Sequence, residues 1–402
     1  MAETLMLKGR STVGVIFSGG PAPAANAVIS SATLNFLDNG VPVIGFIGGY
    51  KHLVDYNKDQ STLTEGEHYL MLDNNISNTR NRRGINIQTS RANPGKMVKK
   101  PEDLDDPEKT KNLRNVLDAF EKLDIGLLIS IGGDDTLRTA NLIHNMGMPT
   151  LHIPKTIDND YYGIPWTFGF WTSVDITQKA LLNLHADAGS TGSYFIAEIM
   201  GRKAGWLTYA AGIAGEAIKM IALEDLQEGA ELDISSISDD IVDLIVTRQE
   251  HGKNYGVICV AEGLADRLPD SLKPTETDPF GHITLGKAEI GKILAESVTR
   301  SYNERTGQSI KVNSKQIGYE TRTAAPISYD VVLGSTLGYG AYKLFMKGVS
   351  GLMVSVTENF DVIGIPFSEL LDPNTLTTKV RTVSRDSDLF KLKKALTYKA
   401  LD

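Results

Sequence analysis

The chain has 402 residues, 41% of them apolar and 22% charged, with a net charge of −8 at neutral pH. This length and balance suit two α/β lobes of ordinary globular composition. The acidic excess argues against general affinity for nucleic acid or an anionic membrane surface. One cysteine, Cys259, excludes a disulfide framework and fits a reducing cytoplasm. No apolar run is long enough to span a membrane, and the opening stretch MAETLMLKGR shows no signal-peptide core.

In chain order, VGVIF (13–17) reads as a short buried strand that ends in the turn SGGPAP. A helix is expected over 24–38, then a strand in VPVIGFIGG (41–49). Leu113, Val116, Leu117 and Phe120 fall at helical spacing behind a start at Pro107 and Glu108. IGLLISI (125–131) is a buried strand, followed by the turn GGDDT, a helix from about 137 to 147 and the strand TLHIP (150–154). Strand and helix alternating in this order predict a parallel sheet covered by helices on both faces. A second series begins near 190: YFIAEIM, a helix near 204–217, KMIAL, a helix around 238–249 and YGVICVAEG. An amphipathic segment (284–305) and a helix around 330–347 come next, and the strand pair LMVSVTE and DVIGIPF is expected to return to the first lobe. Segments 56–66 and 266–283 read as surface loops. The predicted division is therefore a first lobe of residues 1–172 plus about 330–380, a second lobe of 173–329, and a tail or helix over about 381–402.

Four loops follow strands and are rich in glycine or charge: SGGPAP (18–23), GGDDT (132–136), PKTIDND (154–160) and MGRKAGW (200–206). In open parallel sheets ligands bind beyond the carboxyl ends of the strands. Glycine there lets backbone N–H groups approach phosphate oxygens, and a helix start adds favourable partial charge. Neither the P-loop pattern nor the dinucleotide fingerprint is present. PKTIDND is the densest piece chemically. Asp158 can accept a proton from a substrate hydroxyl, and Lys155 can neutralise phosphate. Asp134 and Asp160 are oxygen donors of the kind Mg²⁺ shares with phosphates. The alternative for this loop is a turn held by Asx hydrogen bonds. The histidines show no metal-ligand spacing, Trp166, Trp171 and Trp206 read as packing, and Cys259 sits in an apolar strand.

SGGPAPAAN, TSR (89–91), GGDDT, PKTIDND, FGF (168–170), MGRKAG, AEG (261–263) and GYETR (318–322) occur in one order. Together they resemble the 6-phosphofructokinase family, and within it the pyrophosphate-dependent branch, over roughly residues 11–360. The resemblance implies two Rossmann-like lobes with mainly parallel sheets and a cleft site. It also implies Mg²⁺-dependent, reversible transfer of a phosphoryl group from pyrophosphate to the 1-hydroxyl of fructose 6-phosphate, in a homodimer or homotetramer. On this chain it makes Asp158 the base, with Thr156 and Asp160 beside it, and sets Arg202 near the transferring group. Met200, Gly201 and Glu262 fall to the sugar, and Tyr319 and Arg322 to its 6-phosphate. Gly19, Gly20, Arg91, Gly133, Thr136 and Lys155 fall to pyrophosphate, and Asp134 to Mg²⁺.

The branch rests on Asp135 and Lys155, where ATP-using relatives typically carry glycine. A carboxylate at 135 would occupy the volume of a nucleotide α-phosphate and repel it, by roughly 4 kcal/mol at about 4 Å and an effective dielectric near 20. Pro21 agrees with this branch. Several positions depart from the family pattern: Ala24 replaces a usual glycine, Ser193 stands where an arginine often reaches the 6-phosphate, a second phosphate-binding arginine is not evident before GYETR, where Lys311 or Lys315 could substitute, and TRTAAP replaces a glycine-rich ending. ATP-dependent phosphofructokinase, use of another sugar phosphate such as sedoheptulose 7-phosphate, and a non-catalytic sugar-phosphate sensor are the competing readings.

Overall fold

The computed structural model describes residues 9–273 and 285–397. The chain divides into two compact units. The first runs up to Ile157 and adds Tyr161–Thr172 and Arg322–Val380. The second comprises Asp158–Asp160, Ser173–Thr321 and the segment from Arg381 onward.

The first unit is built on a seven-stranded sheet. Its strands are β1 (Thr12–Phe17), β2 (Val43–Phe46), β3 (Tyr69–Leu72), β4 (Ile125–Gly132), β5 (Thr150–Pro154), β10 (Leu352–Val356) and β11 (Val362–Pro366), in the order β11-β10-β5-β4-β1-β2-β3. The five inner strands run parallel, and antiparallel β3 and β11 close the edges. β1, β4 and β5 are buried along their whole lengths, as near-continuous apolar runs in a doubly covered parallel sheet should be. Helices α1 (Ala25–Leu37), α2 (Pro107–Lys122), α3 (Asp134–Asn145) and α8 (Ser328–Met346) belong to this unit. α2 starts where Asp106 accepts hydrogen bonds from the Glu108 and Lys109 amides with Pro107 at the first helical position, and its buried face includes Leu113, Val116 and Phe120. The strand order reverses around β1 and β4, so the turns after these two strands flank the switch point where such sheets bind ligands.

The second unit has a four-stranded, all-parallel sheet of β6 (Tyr194–Ile199), β7 (Lys219–Ile221), β8 (Gly256–Ala261) and β9 (Val312–Ile317), ordered β7-β8-β6-β9. Its helices include α5 (Trp206–Ala214), α6 (Ile234–Glu250), α7 (Ile290–Thr306) and α9 (Asp388–Leu396). Helix α4 (Phe170–Thr191) contains the boundary between Thr172 and Ser173.

Four expectations are corrected. Residues 158–160 belong to the second unit rather than to the first. Residues 322–329 belong to the first unit rather than the second, because Ile327 N donates to Thr172 Oγ1 at 3.1 Å and Arg83 Nε to Thr323 O at 2.8 Å. Residues 381–397 carry the helix allowed for there, α9, and are part of the second unit rather than a segment apart. They join the second unit through hydrogen bonds from Arg381 N to Asp160 O (2.8 Å) and from Val383 N to Glu224 Oε1 (3.0 Å). The helix expected from about 137 begins at Asp134, so both acidic residues of GGDDT are helical. Strands β3 and β9 are additions to the sequence reading. The expected loop 266–283 and the start of the segment 284–305 lie partly outside the described residues.

Candidate active site

In the first unit the glycine-rich turns are tied together by backbone bonds. Gly19 N donates to Ser90 O at 2.8 Å, Thr89 Oγ1 donates to Gly19 O at 2.7 Å, and Ser90 Oγ donates to Gly48 O at 2.6 Å. These bonds bring TSR, with the exposed Arg91, against the turn after β1. Gly169 of FGF packs on the same turn: a β-carbon there would stand 3.0 Å from Pro23 Cδ.

Lys155 is the centre of this group. It is only 7% exposed, and its amide donates to Gly132 O at 2.9 Å. Its ammonium lies 3.1 Å from the position of a β-carbon on Gly19 and 4.0 Å from that on Gly133. Three of the four sequence motifs thus converge on one cation. Arg322 adds a second positive charge, since its Nη1 lies 3.1 Å from the β-carbon position of Gly20. The resemblance paired Arg322 with Tyr319. The structure puts Arg322 on the first glycine turn, whereas Tyr319 belongs to the second unit and is 76% exposed.

Asp134 and Asp135 occupy the first turn of α3, behind Gly133 as its cap. Acidic side chains there are stabilised by the helix dipole, by about 0.3–1 kcal/mol each. The carboxylate pair therefore has a local reason to exist besides any ligand. Asp134 Oδ1 accepts from Asp135 N at 2.9 Å, and Arg138 Nη2 lies 3.5 Å from the half-exposed Asp135 carboxylate. Thr136 is buried and folds back on the strand end: a β-carbon on Gly132 would meet its Oγ1 at 2.4 Å, so only glycine fits. Beneath the turn, Tyr161 donates to Gly132 O at 3.1 Å and pairs with the buried His152 Nε2 at 3.1 Å. Burial pushes the His152 imidazole down to about 3. His152 and Tyr161 were not singled out by sequence, because their contacts join segments distant in spacing, and Arg138, three residues after Asp135 on one helix, was passed over although helical spacing could have found it.

The second unit carries the other group. Asn159 takes a left-handed conformation with φ of 55°, which asparagine tolerates, between Asp158 and Asp160. Asp158 Oδ2 accepts from Arg202 N at 3.3 Å, and Gly201 N donates to Glu262 Oε2 at 3.5 Å. Gly201 has φ of +143°, and a β-carbon on it would lie 4.0 Å from Asp158 Oδ1, so glycine keeps that oxygen approachable. Gly263 lies so close that its β-carbon would meet Arg202 O at 2.3 Å, which locks AEG onto MGR. Arg202 is exposed, with Nε 3.8 Å from Asp266 Oδ2. Met200 donates its amide to Ile317 O at 3.1 Å and packs on Gly318, at the start of GYETR. Asp158, Gly201, Arg202, Glu262 and Met200 are thus assembled by the carboxyl ends of β6, β8 and β9 together with the segment Asp158–Asp160.

The departures from the family pattern also have positions. Ser193 is buried at the foot of β6 and bonded to Thr191 at 2.7 Å. Lys315 is exposed on β9. Ala24 has φ of 66°, the left-handed region that favours glycine. Trp166 stacks on Phe170 with centroids 5.6 Å apart.

Among the described residues no group of three or more His, Cys, Asp or Glu side chains is disposed to hold a metal ion by itself. Asp134, a hard oxygen donor beside phosphate-type turns, fits an ion such as Mg²⁺ that draws its remaining ligands from phosphate and water. No described helix is long and apolar enough to cross a membrane.

A family profile described as Phosphofructokinase matches residues 12–345. The chain is 34% identical over 395 residues to a pyrophosphate–fructose 6-phosphate 1-phosphotransferase of Thermotoga maritima, covering 94% of this chain and 88% of the relative. It is 30% identical over 386 residues to an ATP-dependent 6-phosphofructokinase of Spirochaeta thermophila, covering 96% of each. Among solved structures it matches a pyrophosphate-dependent phosphofructokinase from Nitrosospira multiformis (TM-score 0.69, 18% identity, 98% of this chain and 93% of that one). It also matches the Pichia pastoris phosphofructokinase in the T-state (TM-score 0.66, 22% identity, 90% of this chain), of which it spans only 35%. The fold, the ordered motifs and these likenesses place the chain in the phosphofructokinase family, as a phosphofructokinase-type phosphotransferase.

Proposed function

We propose that the chain transfers a phosphoryl group reversibly between pyrophosphate and the 1-hydroxyl of fructose 6-phosphate, with Mg²⁺. The observation that supports the donor choice is a buried ammonium on the glycine turns, Lys155 near Gly19 and Gly133, together with a carboxylate, Asp135, on the first turn of α3 that follows Gly133. Lys155 offers concentrated positive charge to a compact, multiply charged anionic donor. Asp135 sets negative charge and volume where a longer nucleotide phosphate chain would need room.

In this reading Gly19, Gly20, Gly133 and Thr136 receive the donor through backbone and hydroxyl groups, and Arg91 and Lys155 bind its charge. Arg322, on the Gly20 turn, adds to them. Asp134 would hold Mg²⁺, which supplies charge neutralisation for the phosphates when bound; Asp160 is the second carboxylate proposed near it. Asp158 takes the proton of the 1-hydroxyl, and the Arg202 amide orients its carboxylate. Thr156 positions the reacting groups. Glu262, Met200 and Gly201 receive the sugar, Tyr319 lies toward its phosphate, and the Arg202 side chain stabilises the charge that develops on the moving phosphoryl group. Such transfer depends on positioning and neutralisation more than on covalent help. The expected state is a cytoplasmic homodimer or homotetramer, which light scattering of the purified protein checks.

The test is a donor panel of pyrophosphate, ATP, ADP and polyphosphate against fructose 6-phosphate with Mg²⁺. Pyrophosphate should give by far the highest kcat/KM. ATP dependence is the second reading, favoured by relatives named ATP-dependent at 30% and 31% identity. Turnover with ATP and none with pyrophosphate would establish it.

A further inference from the structure

The segment that follows Val380 crosses the two loops that hold Asp158 and Arg202, and Arg381 touches both. Its amide donates to Asp160 O at 2.8 Å, and its carbonyl accepts from Trp206 Nε1 at 3.0 Å. Its guanidinium carbon stands 4.3 Å from the centroid of the Trp206 indole. Burial draws the guanidinium down to about 10, with Asp160 acting in the opposite direction. A half-buried cation stacked on an aromatic face is held by its surroundings.

The same segment is laced further on. Val383 N donates to Glu224 Oε1 at 3.0 Å, and the two oxygens of that carboxylate accept from Gly205 N at 2.9 and 3.0 Å. Arg385 Nε donates to Glu224 O at 2.7 Å, and Arg385 also bonds Leu226 O. Residues 381, 383 and 385 thus act as alternate teeth of one strap. Only the first reaches the DND segment and the indole next to MGRKAG. The direct bond between these loops, from Arg202 N to Asp158 Oδ2, is long at 3.3 Å. A shift of a few tenths of an ångström in either loop would break it.

We propose that Arg381 is a positioning residue for phosphoryl transfer: its guanidinium, stacked on Trp206 while its amide holds the Asp160 carbonyl, fixes the loop of Asp158 against the loop of Arg202. The inference rests on the phosphotransferase reading of this site and adds to it a residue outside the family's motifs. Replacing the side chain leaves the two backbone bonds available but removes the stack and the charge. The loops then loosen without the sugar losing its contacts.

The experiment compares Arg381→Ala, Arg381→Lys and Arg385→Ala with the parent chain, using whichever donor the parent uses, well below each Tm. Arg381→Ala should lower kcat at least tenfold with KM for fructose 6-phosphate within about threefold, and Arg381→Lys should recover most of it. Arg385→Ala should keep parental kcat, even if it lowers Tm. Hydrogen exchange without substrates provides a second readout. Peptides covering 158–160 and 201–206 should exchange faster in Arg381→Ala and not in Arg385→Ala. Parental kcat and exchange in a folded Arg381→Ala overturns the proposal, as does an equal loss of kcat in Arg385→Ala. A parent chain inactive with every donor overturns the phosphotransferase reading instead, and the exchange result then decides the role of Arg381 by itself.

Discussion

The ammonium of Lys155 lies 3.1 Å from the place where a β-carbon on Gly19 would stand, in a turn whose φ at Gly19 is +87°. The contact joins the turn after β1 to the loop after β5 and limits how large residue 19 can be.

Gly19→Ala should therefore fail in two ways, through a left-handed conformation costing about 1–2 kcal/mol and through displacement of the Lys155 ammonium. We expect kcat/KM for the donor to fall at least tenfold while KM for fructose 6-phosphate stays within about threefold. Steady-state kinetics with each substrate varied in turn checks this. Unchanged donor kinetics would show that Lys155 does not serve the donor.

Asp135→Gly combined with Lys155→Gly removes the carboxylate and the ammonium together. The double variant should lose at least tenfold in kcat/KM with pyrophosphate and gain measurable turnover with ATP. Pyrophosphate kinetics identical to the parent's would refute the role given to this pair. Because Arg138 lies 3.5 Å from Asp135, Asp135→Gly alone also frees a cation near the helix start, so the single variants need to be read beside the double.

Asp158→Asn keeps the shape of the side chain and its hydrogen bond from the Arg202 amide but cannot take up the hydroxyl proton. Turnover should drop by about 10²–10⁴, with calorimetric affinity for fructose 6-phosphate within about threefold of the parent. Full activity would move the base elsewhere.

Ala24 adopts φ of 66° at the start of α1. Ala24→Gly should stabilise the chain by about 1 kcal/mol, the left-handed strain relieved less the extra freedom of glycine in the unfolded state. Thermal unfolding should show a small rise in Tm, with donor KM equal or lower. A fall in Tm would mean that the alanine methyl contributes more by packing than it costs in strain.

His152 carries a pH signature. Its buried imidazole titrates near 3, held down by burial first, with the Gly132 hydrogen bond opposing and the Lys155 charge reinforcing. The unfolded chain binds that proton near pH 6.5, so between these values the unfolded state holds more protons. Stability is complete above about 6.5 and is lost as pH falls, by up to about 1.4 kcal/mol per pH unit from this group. In urea unfolding between pH 6.5 and 5, His152→Phe should show a shallower loss than the parent. Equal slopes would assign the acid sensitivity to other groups.

The sequence reading succeeds where one chain segment carries its own pattern. β1, β4 and β5 are apolar throughout and buried throughout, and the turns that follow them contain the glycines that later converge on Lys155. It fails where a neighbour supplies the reason. β9 is VNSKQI, a mostly polar edge strand defined by its pairing with β6, and β3 is a half-buried edge paired only with β2. Tyr161, in the loop after β5, meets both Gly132 and His152 through its hydroxyl, and Arg381 meets Asp160 across more than two hundred residues. Such contacts leave no trace in local spacing. The acidic pair of GGDDT illustrates a subtler limit: read as a loop it opposes phosphate, whereas on the first turn of α3 it also answers the helix dipole.

Neither unit is a contiguous stretch of chain, and this dictates the order in which the molecule can be completed during synthesis. β5 has β10 as its parallel neighbour on one side, so until Val356 emerges from the ribosome that edge is open, a row of unpaired amides and carbonyls at risk of pairing with another chain. The nascent protein therefore carries an open strand edge for some two hundred residues after β5 is made. A chaperone that shields a strand edge would be needed most during that interval.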